Sequence, residues 1–511
     1  MTWSEGYHVA ETYTDGYYAE LSPARIDTAL RLAGRAALPA GPCCELGFGQ
    51  GTSLVLHAAA HPDREFFGND FLPAHVSGAR SLAAAAGFQV RLSEASFEEY
   101  CTDKQLPQFA LIVAHGIWSW VSAENRARIL DFVRRKLMPG GVFHVSYNLK
   151  SGWLGAEPLR DLLYSYFHRM QAPSTPTATK VERALSFAQS LMDLSPAAAQ
   201  AAPAMRARLE HLKTQDPQYL AHEYFNADWH LTSFSEVWQQ FQQAKLSYAT
   251  SALVSDHIQE IQVTAEQAEH LGQISDSVLR QSARDLFSGQ AFRRDLWVKG
   301  SNQLPEPEFD RAWREWRVVP IAQQRPGTAI SVKGWAGEAQ VPLEATDKLL
   351  SYLHGAEQSV PVQRLIHDLK IAEGQWPHLR RVLRLLMASH HIDIARDDGV
   401  ADAARAQCGA INATLLDRAN RHKTSAPMAS PVTGVGLNLP HGLVKLLAAH
   451  APSVAEGKSQ QATVRLESVT ALEAGKPGSL SSSSGEVQAA AVQGQELQTI
   501  FPMLKRLGLI A

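Results

Sequence analysis

Between Pro42 and Asn148 short apolar runs alternate with amphipathic ones. Cys43-Cys44-Glu45-Leu46 reads as a strand that runs into alternate glycines, Gly47, Gly49 and Gly51, and Thr52 to Ala60 follows as a helical run. Glu65 to Asp70 is the next strand, and Pro73 opens a helix to Ala86, as proline does in a first turn. Gly87 ends that helix and Phe88 to Leu92 reads as a third strand. Phe109 to Ala114 is continuously apolar, the pattern of a strand buried on both faces. Ser122 then caps a helix with Ile129, Leu130, Val133 and Leu137 on one face, and Pro139-Gly140-Gly141 turns into a fifth strand, Val142 to Tyr147. Strand and helix in alternation predict a parallel sheet with helices on both faces.

The pattern changes after Trp153. Leu154 to Tyr219 is mostly helical, broken by the Ala/Pro-rich Pro196 to Ala204, and reads as an insertion of about 154–235 before the sheet resumes. Leu246 to Thr250 and Phe292 to Val298 are the candidates for the last two strands. Two prolines between Ser301 and Pro307 mark a boundary, so that 1–300 form one domain. Over 308–420, Leu379, Val382, Leu383 and Leu386 share a helix face, and His390 to Ile394 reads as a short strand before an Asp397-Asp398-Gly399 turn. Helix, strand and turn in that order suggest a winged-helix-like, regulatory module. Lys370, Arg380, Arg381 and Arg384 read as a solvated helix face rather than a DNA-binding one, His390-His391 as structural, and Gly434 and Gly436 as turns. The remainder, 421–511, contains a polar connector at about 455–495 and a final amphipathic helix, Ile500 to Ile510, that docks back.

Composition narrows the class. A chain of 511 residues exceeds a single comfortable core. Hydrophobic residues at 45%, charged residues at 19% and a net charge of −3 describe a globular protein without the basicity that nucleic acid or an anionic membrane demands. Cys43, Cys44, Cys101 and Cys408 have no zinc-like spacing, so no metal is expected. No leader-like start is read at Met1 to Ala10 and no run approaches the ~18 apolar residues of a membrane span, which makes the cytoplasm the expected compartment.

The glycine run carries the chemistry. Glycines at a strand-to-helix turn let a ligand approach the backbone closely. Glu45 beside them would repel the pyrophosphate of a dinucleotide but suits S-adenosylmethionine, which carries a sulfonium and an ammonium. Asp70 lies about 20 residues past the last glycine, the offset at which a Rossmann-like unit places an acid for ribose hydroxyls. At the end of the fourth strand, His115-Gly116-Ile117-Trp118-Ser119-Trp120-Val121 offers two readings, a histidine over a tryptophan core or a methyl-acceptor pocket. The tyrosines of the N-terminal arm, Tyr7, Tyr13, Tyr17 and Tyr18, are likewise either packing or a flap over the cofactor, since aromatic faces attract cations.

The acid and glycine motif resembles that of class I S-adenosylmethionine-dependent methyltransferases. The pair His115-Gly116-x-x-Ser119-Trp120-Val121 and Ser146-Tyr147-Asn148…Gly152-Trp153, with Leu220 to Asn226 and Phe292 to Leu296, resembles more narrowly those carrying a methyltransferase regulatory domain. The protein-lysine methyltransferases that modify rickettsial outer-membrane protein belong to that group. Here Ser151 stands where the group usually has proline before Gly-Trp. The resemblance implies a seven-stranded sheet with strands 3-2-1-4-5 adjacent and an antiparallel edge pair. It implies S-adenosylmethionine contacts at Tyr13, Glu45, Gly47, Phe48, Gly49, Gly51, Asp70, Phe71, Glu94, Ala95, Ser96 and His115. It places catalysis at His115, Trp118, Tyr147 and Asn148, and an acceptor pocket at Trp118, Trp120 and Trp153. The implied reaction is N-methylation of a protein lysine, whose amine must first lose a proton from a reference pKa of ~10.4, with His115 to take it or orient the amine. The rivals are a small-molecule methyltransferase and a non-catalytic cofactor-binding scaffold. A protein substrate is expected and a homodimer is left open; neither nucleic acid nor membrane is. The insertion and the region after Pro307 are expected to serve acceptor recognition or assembly and not chemistry.

Overall fold

The alternation from Cys43 onward closes into a single seven-stranded sheet. Its strands are β1 (Cys43–Leu46), β2 (Phe66–Asp70), β3 (Arg91–Glu94), β4 (Phe109–Ala114), β5 (Leu137–Asn148), β6 (Leu246–Ser251) and β7 (Phe292–Lys299), in the order β3-β2-β1-β4-β5-β7-β6. Strands β1 to β5 pair in parallel, whereas β7 is antiparallel to both β5 and β6. The expected last two strands are therefore the edge pair. The third strand begins three residues and ends two residues later than its apolar run suggests; Phe88 and Val90 pack against the core before the pairing with β2 begins. This is a computed structural model, and it describes residues 16–172, 174–194, 203–322, 327–455, 500 and 502–510. Tyr13, residues 195–202 of the Ala/Pro-rich break and residues 456–499 of the expected connector lie outside the described residues.

Side chains alternate across the sheet with period two, and this decides which residues reach the ligand side. On β5, Phe143, Val145 and Tyr147 enter one core with Cys44, Ile112, Trp118, Phe241 and Trp297. Val142 enters the other, with Cys43, Leu111, Val113 and Leu296. Between β5 and β6 stand helices Glu157–Arg169, Thr177–Leu194, Pro203–Leu212 and Pro217–Tyr224, packed around their own core of Leu159, Leu163, Val181, Leu209 and Trp153.

In the C-terminal region the expected helix and strand form, but the turn after them is not a wing. Strand Arg317–Pro320 is flanked by Val360–Pro361 and Ile392–Ala395 in a three-stranded sheet, with helices Leu343–Gly355, Val362–Asp368 and Trp376–Ala388 around it. The Asp397-Asp398-Gly399 turn that would open a wing instead opens the 25-residue helix Asp398–His422, with Asp397 at its N-cap position. That helix packs on Thr52–Ala60 and Pro73–Ala85, and its Ala404, Cys408, Ile411 and Leu415 join the core of the seven-stranded sheet. Of the basic residues, Lys370 and Arg381 are exposed, as a solvated face predicts, whereas Arg380 and Arg384 are half-buried against aromatic rings. Arg380 lies over Phe309 and Trp376, Arg384 over Trp313, and Arg381 bonds Glu260 at 2.9 Å. His390 takes a left-handed turn (φ 57°) and His391 Nδ1 meets Ser389 Oγ at 2.9 Å, both structural. The final helical turn docks as expected, burying Met503, Leu504, Leu507 and Leu509 against Val319, Met428 and Leu443.

Candidate active site

The tips of β1, β2, β4 and β5 open into a cavity of about 440 Å³. In an open α/β sheet this end of the strands, where the order reverses between β1 and β4, is where ligands bind. Gly47, Gly49 and Gly51 have φ of 65°, 60° and 76°, left-handed values that only glycine adopts without strain. Their spaces differ. A Cβ on Gly51 would meet Ala79 at 2.6 Å and one on Gly47 would meet Ile117 at 2.9 Å, but one on Gly49 would meet nothing within 4 Å. Gly47 and Gly51 thus lock the loop into the fold, and Gly49 keeps clear the space a ligand fills.

Two carboxylates stand over that loop. Asp70 Oδ2 accepts the Gly49 N–H at 2.9 Å, while Oδ1 accepts from Leu72 N–H at 2.9 Å and meets His75 Nδ1 at 3.1 Å. An ionised carboxylate accepts about four hydrogen bonds, so Asp70 anchors the loop and keeps capacity for a ligand hydroxyl. Burial, reinforced by Asp70, pushes the Glu45 carboxyl up to about 8. A cation beside it would reverse that shift. Phe48, Phe71, Ala95 and Ser96 complete this half, with Ala95 fixed by Asn69 Nδ2 donating to its carbonyl at 3.0 Å. Glu94 does not join them: it ends β3 exposed to solvent.

His115 lines the cavity between Tyr18 (ring centroids 4.5 Å apart) and His144 (5.8 Å). Burial holds its imidazole well below the usual range, so it is neutral. Its Nδ1 and the Asn148 Nδ2 are buried without a hydrogen-bond partner among the described residues. Trp120 and Trp153 also line the cavity. Trp118 and Tyr147 do not, and this corrects both assignments. Asn148 points into the cavity, so its neighbour Tyr147 points through the sheet, where it is fully buried and its hydroxyl donates to Asp295 Oδ2 at 2.5 Å. Trp118 sits in the same core, edge-on to Phe241 at 5.1 Å.

The far wall comes from the helical insertion, which sequence reasoning set apart from the chemistry. Arg208, His211, Tyr219, Glu223 and Tyr224 all reach the cavity. Arg208 Cζ lies 4.2 Å from the Trp153 ring centroid and its Nε donates to the Tyr224 hydroxyl at 2.7 Å. Burial raises the Glu223 carboxyl to about 7, partly opposed by Arg208, and Glu223 in turn raises the Tyr219 phenol. Trp153 is brought here by a tight approach. A Cβ on Gly152 would fall 2.2 Å from Ala291 Cα, and Ser151 Oγ donates to the Gln290 carbonyl at 2.8 Å. The one available signal for this wall was Leu220-Ala221-His222-Glu223-Tyr224, which the motif comparison touched without assigning a role.

A reversing parallel sheet, a left-handed glycine loop and two acids above it define a class I methyltransferase. Comparison with known proteins agrees. A methyltransferase-domain family model matches residues 44–141, and the predicted methyltransferase regulatory domain matches 216–299. The regulatory match thus falls on the last insertion helix and β6–β7, before the module at 308–420. The Synechocystis protein sll1526 is 32% identical over 446 residues, 86% of each chain. A tRNA (guanine-N(7)-)-methyltransferase of Sodalis glossinidius is 33% identical over 116 residues, 20% of this chain and 46% of that protein. PKMT2 from Rickettsia typhi in complex with AdoHcy shares the fold over 98% of this chain and 99% of its own, with TM-score 0.63 and 17% identity. The chain belongs to the S-adenosylmethionine-dependent methyltransferases that carry this regulatory domain. The cavity fits that cofactor: open space at Gly49 and acids at Glu45 and Asp70 would hold it.

Proposed function

We propose that the methyl acceptor is an amine, the side chain of a protein lysine. The observation that carries this reading is Glu223, a half-buried carboxyl lining the cavity, with Tyr219, Tyr224, Trp120 and Trp153 around the same space. Aromatic faces attract an arriving ammonium and their apolar bulk then favours its neutral form. Bound S-adenosylmethionine supplies an electrophilic methyl carbon, to which the amine lone pair bonds as the carbon–sulfur bond breaks and its electrons stay with sulfur. Before that, Glu223 accepts the ammonium proton and passes it to water. His115 does not suit that task, because burial disfavours its imidazolium; as a neutral ring it orients, together with the Asn148 amide. The sequence motif shared with rickettsial lysine methyltransferases points the same way.

An acceptor amine reached by Glu223 also separates this reading from a nucleic-acid substrate, whose phosphates would face Glu223 and Asp228 across the cavity. Incubation of the purified chain with methyl-labelled cofactor and a bacterial lysate tests it. Label in protein, at lysine, is expected. Label confined to nucleic acid or to small molecules contradicts it.

A further inference from the structure

The N-terminal arm crosses the cavity mouth with consecutive residues facing opposite ways. Tyr18 faces inward: it lines the cavity, its ring lies 4.5 Å from that of His115, and its N–H donates to Ser53 Oγ at 2.9 Å in the helix that follows the glycine loop. Tyr17 faces outward, to a part of the chain more than 400 residues away. Its hydroxyl accepts the Gly436 N–H and meets His57 Nε2 at 3.3 Å.

Gly436 begins the second strand of a hairpin, Ala426–Ala429 with Gly436–Leu439. A Cβ there would fall 2.6 Å from Tyr17 Cζ, so the hairpin accepts the tyrosine ring only because position 436 has no side chain. The next turn residue is used too. Ser22 Oγ donates to the Gly434 carbonyl at 2.7 Å, and Gly434 is left-handed at φ 71°. Further along the arm, Arg25 makes two bonds to Asp393, of 3.0 and 2.7 Å. The hairpin is itself held to the methyltransferase core: Asn412 of helix Asp398–His422 exchanges two hydrogen bonds with Ala429, and that helix packs on the one after the glycine loop.

We propose that the C-terminal hairpin is a positioning element for cofactor binding, holding the arm through Tyr17 and Ser22 so that Tyr18 closes the cavity against His115. Gly436, Gly434 and Tyr17 are then positioning residues, and the region after Pro307 sets cofactor affinity without touching the cofactor. This does not depend on the identity of the acceptor.

The test is calorimetry and stopped-flow dissociation with S-adenosylhomocysteine on the full chain. Gly436→Val displaces the Tyr17 ring, and the expected result is at least tenfold weaker binding, carried mainly by faster dissociation, with the melting temperature of the ligand-free protein little changed. Tyr17→Phe keeps the ring and removes only the hydroxyl contacts; a smaller loss of a few-fold is expected, and this variant serves should Gly436→Val fail to fold. In a Tyr17→Ala background the Gly436→Val change should add nothing, because its route to the cavity is gone. Wild-type affinity in a folded Gly436→Val or Tyr17→Phe protein overturns the proposal, as does simple additivity of the Gly436 and Tyr17 effects.

Discussion

The two halves of the cavity are built in opposite ways. The glycine-loop half comes from a stretch of chain between Glu45 and Ser96, each strand delivering its tip residues to the next. The acceptor half is assembled from the ends of β4 and β5, from Trp153, and from helices at 203–224, with the arm at Gly16 and Tyr18 as a lid held by residues near 436. The first half is therefore local in the chain, whereas the second depends on segments far apart in sequence. That difference is consistent with the family matches, where the methyltransferase-domain model ends at residue 141 and a tRNA methyltransferase shares only a fifth of this chain.

Substitutions can separate the halves. The largest effect is expected at Glu223. Glu223→Gln keeps the shape and removes the proton acceptor, and general-base catalysis is worth roughly 10²–10⁴-fold, so methyl transfer should fall at least ~100-fold in a labelled-cofactor assay while S-adenosylhomocysteine affinity holds. The wild-type rate should rise with pH through about 7, since Glu223 is the base only when ionised and burial has raised it to that value; the variant should lose that limb of the profile.

Asp70→Ala acts on the other half. It removes the acceptor of the Gly49 N–H as well as a ligand hydroxyl contact, each charge-assisted and worth about 1.5–3 kcal/mol. Calorimetry should show cofactor affinity down by about two orders of magnitude, with the aromatic acceptor wall intact.

Glu45 gives a smaller, pH-dependent effect. Its carboxyl is raised to about 8, so it is largely protonated at pH 7 in the free protein and ionises when a cation binds beside it. Affinity for S-adenosylmethionine should therefore strengthen several-fold as pH climbs from 7 to 8, with proton release visible as a buffer-dependent binding enthalpy. Glu45→Gln should flatten both. The sign for the unliganded fold is the reverse: a carboxyl raised in the folded state loses stability as pH rises from the unfolded value towards 8.

The least functional effect is expected at Tyr147, which the sequence motif places among the catalytic residues. Tyr147→Phe leaves Asp295 without its phenol donor and should cost about 1–3 kcal/mol in denaturant unfolding, yet leave turnover per folded molecule unchanged. A selective loss of turnover would put Tyr147 back in the reaction.

These contrasts show what a linear reading could and could not recover. The strands of the sheet, and the roles suggested for Glu45, Gly49 and Asp70, rest on local patterns: apolar runs of strand length, glycines at a strand-to-helix turn, and an acid at a fixed offset; the strand order came only from the family resemblance. Tyr147 was misplaced although its position was legible, since a period of two puts it on the face opposite Asn148. Trp118 and Trp120 flank Ser119 in an irregular loop, where no period tells which ring turns inward. Glu223 gave no local signal, because the cavity it lines is closed by residues distant in the chain, Trp153 and Arg208 among them. Gly434 and Gly436 carried no local signal beyond a turn; their requirement for glycine comes from residues 17, 24 and 61. The Asp397-Asp398-Gly399 triplet misled for a different reason. Turn residues also serve as helix caps, and only the length of the helix that follows, Asp398–His422, distinguishes them.

The central claim, that the insertion wall prepares an amine for methylation, is tested most directly by site-resolved mass spectrometry of proteins labelled with isotopic S-adenosylmethionine, comparing the wild-type chain with Glu223→Gln at matched cofactor occupancy. Methyl groups on lysine nitrogen with the wild type, reduced at least ~100-fold by Glu223→Gln, are the predicted result. Methylation at atoms other than an amine nitrogen, or lysine methylation that Glu223→Gln leaves at the wild-type level, would contradict it.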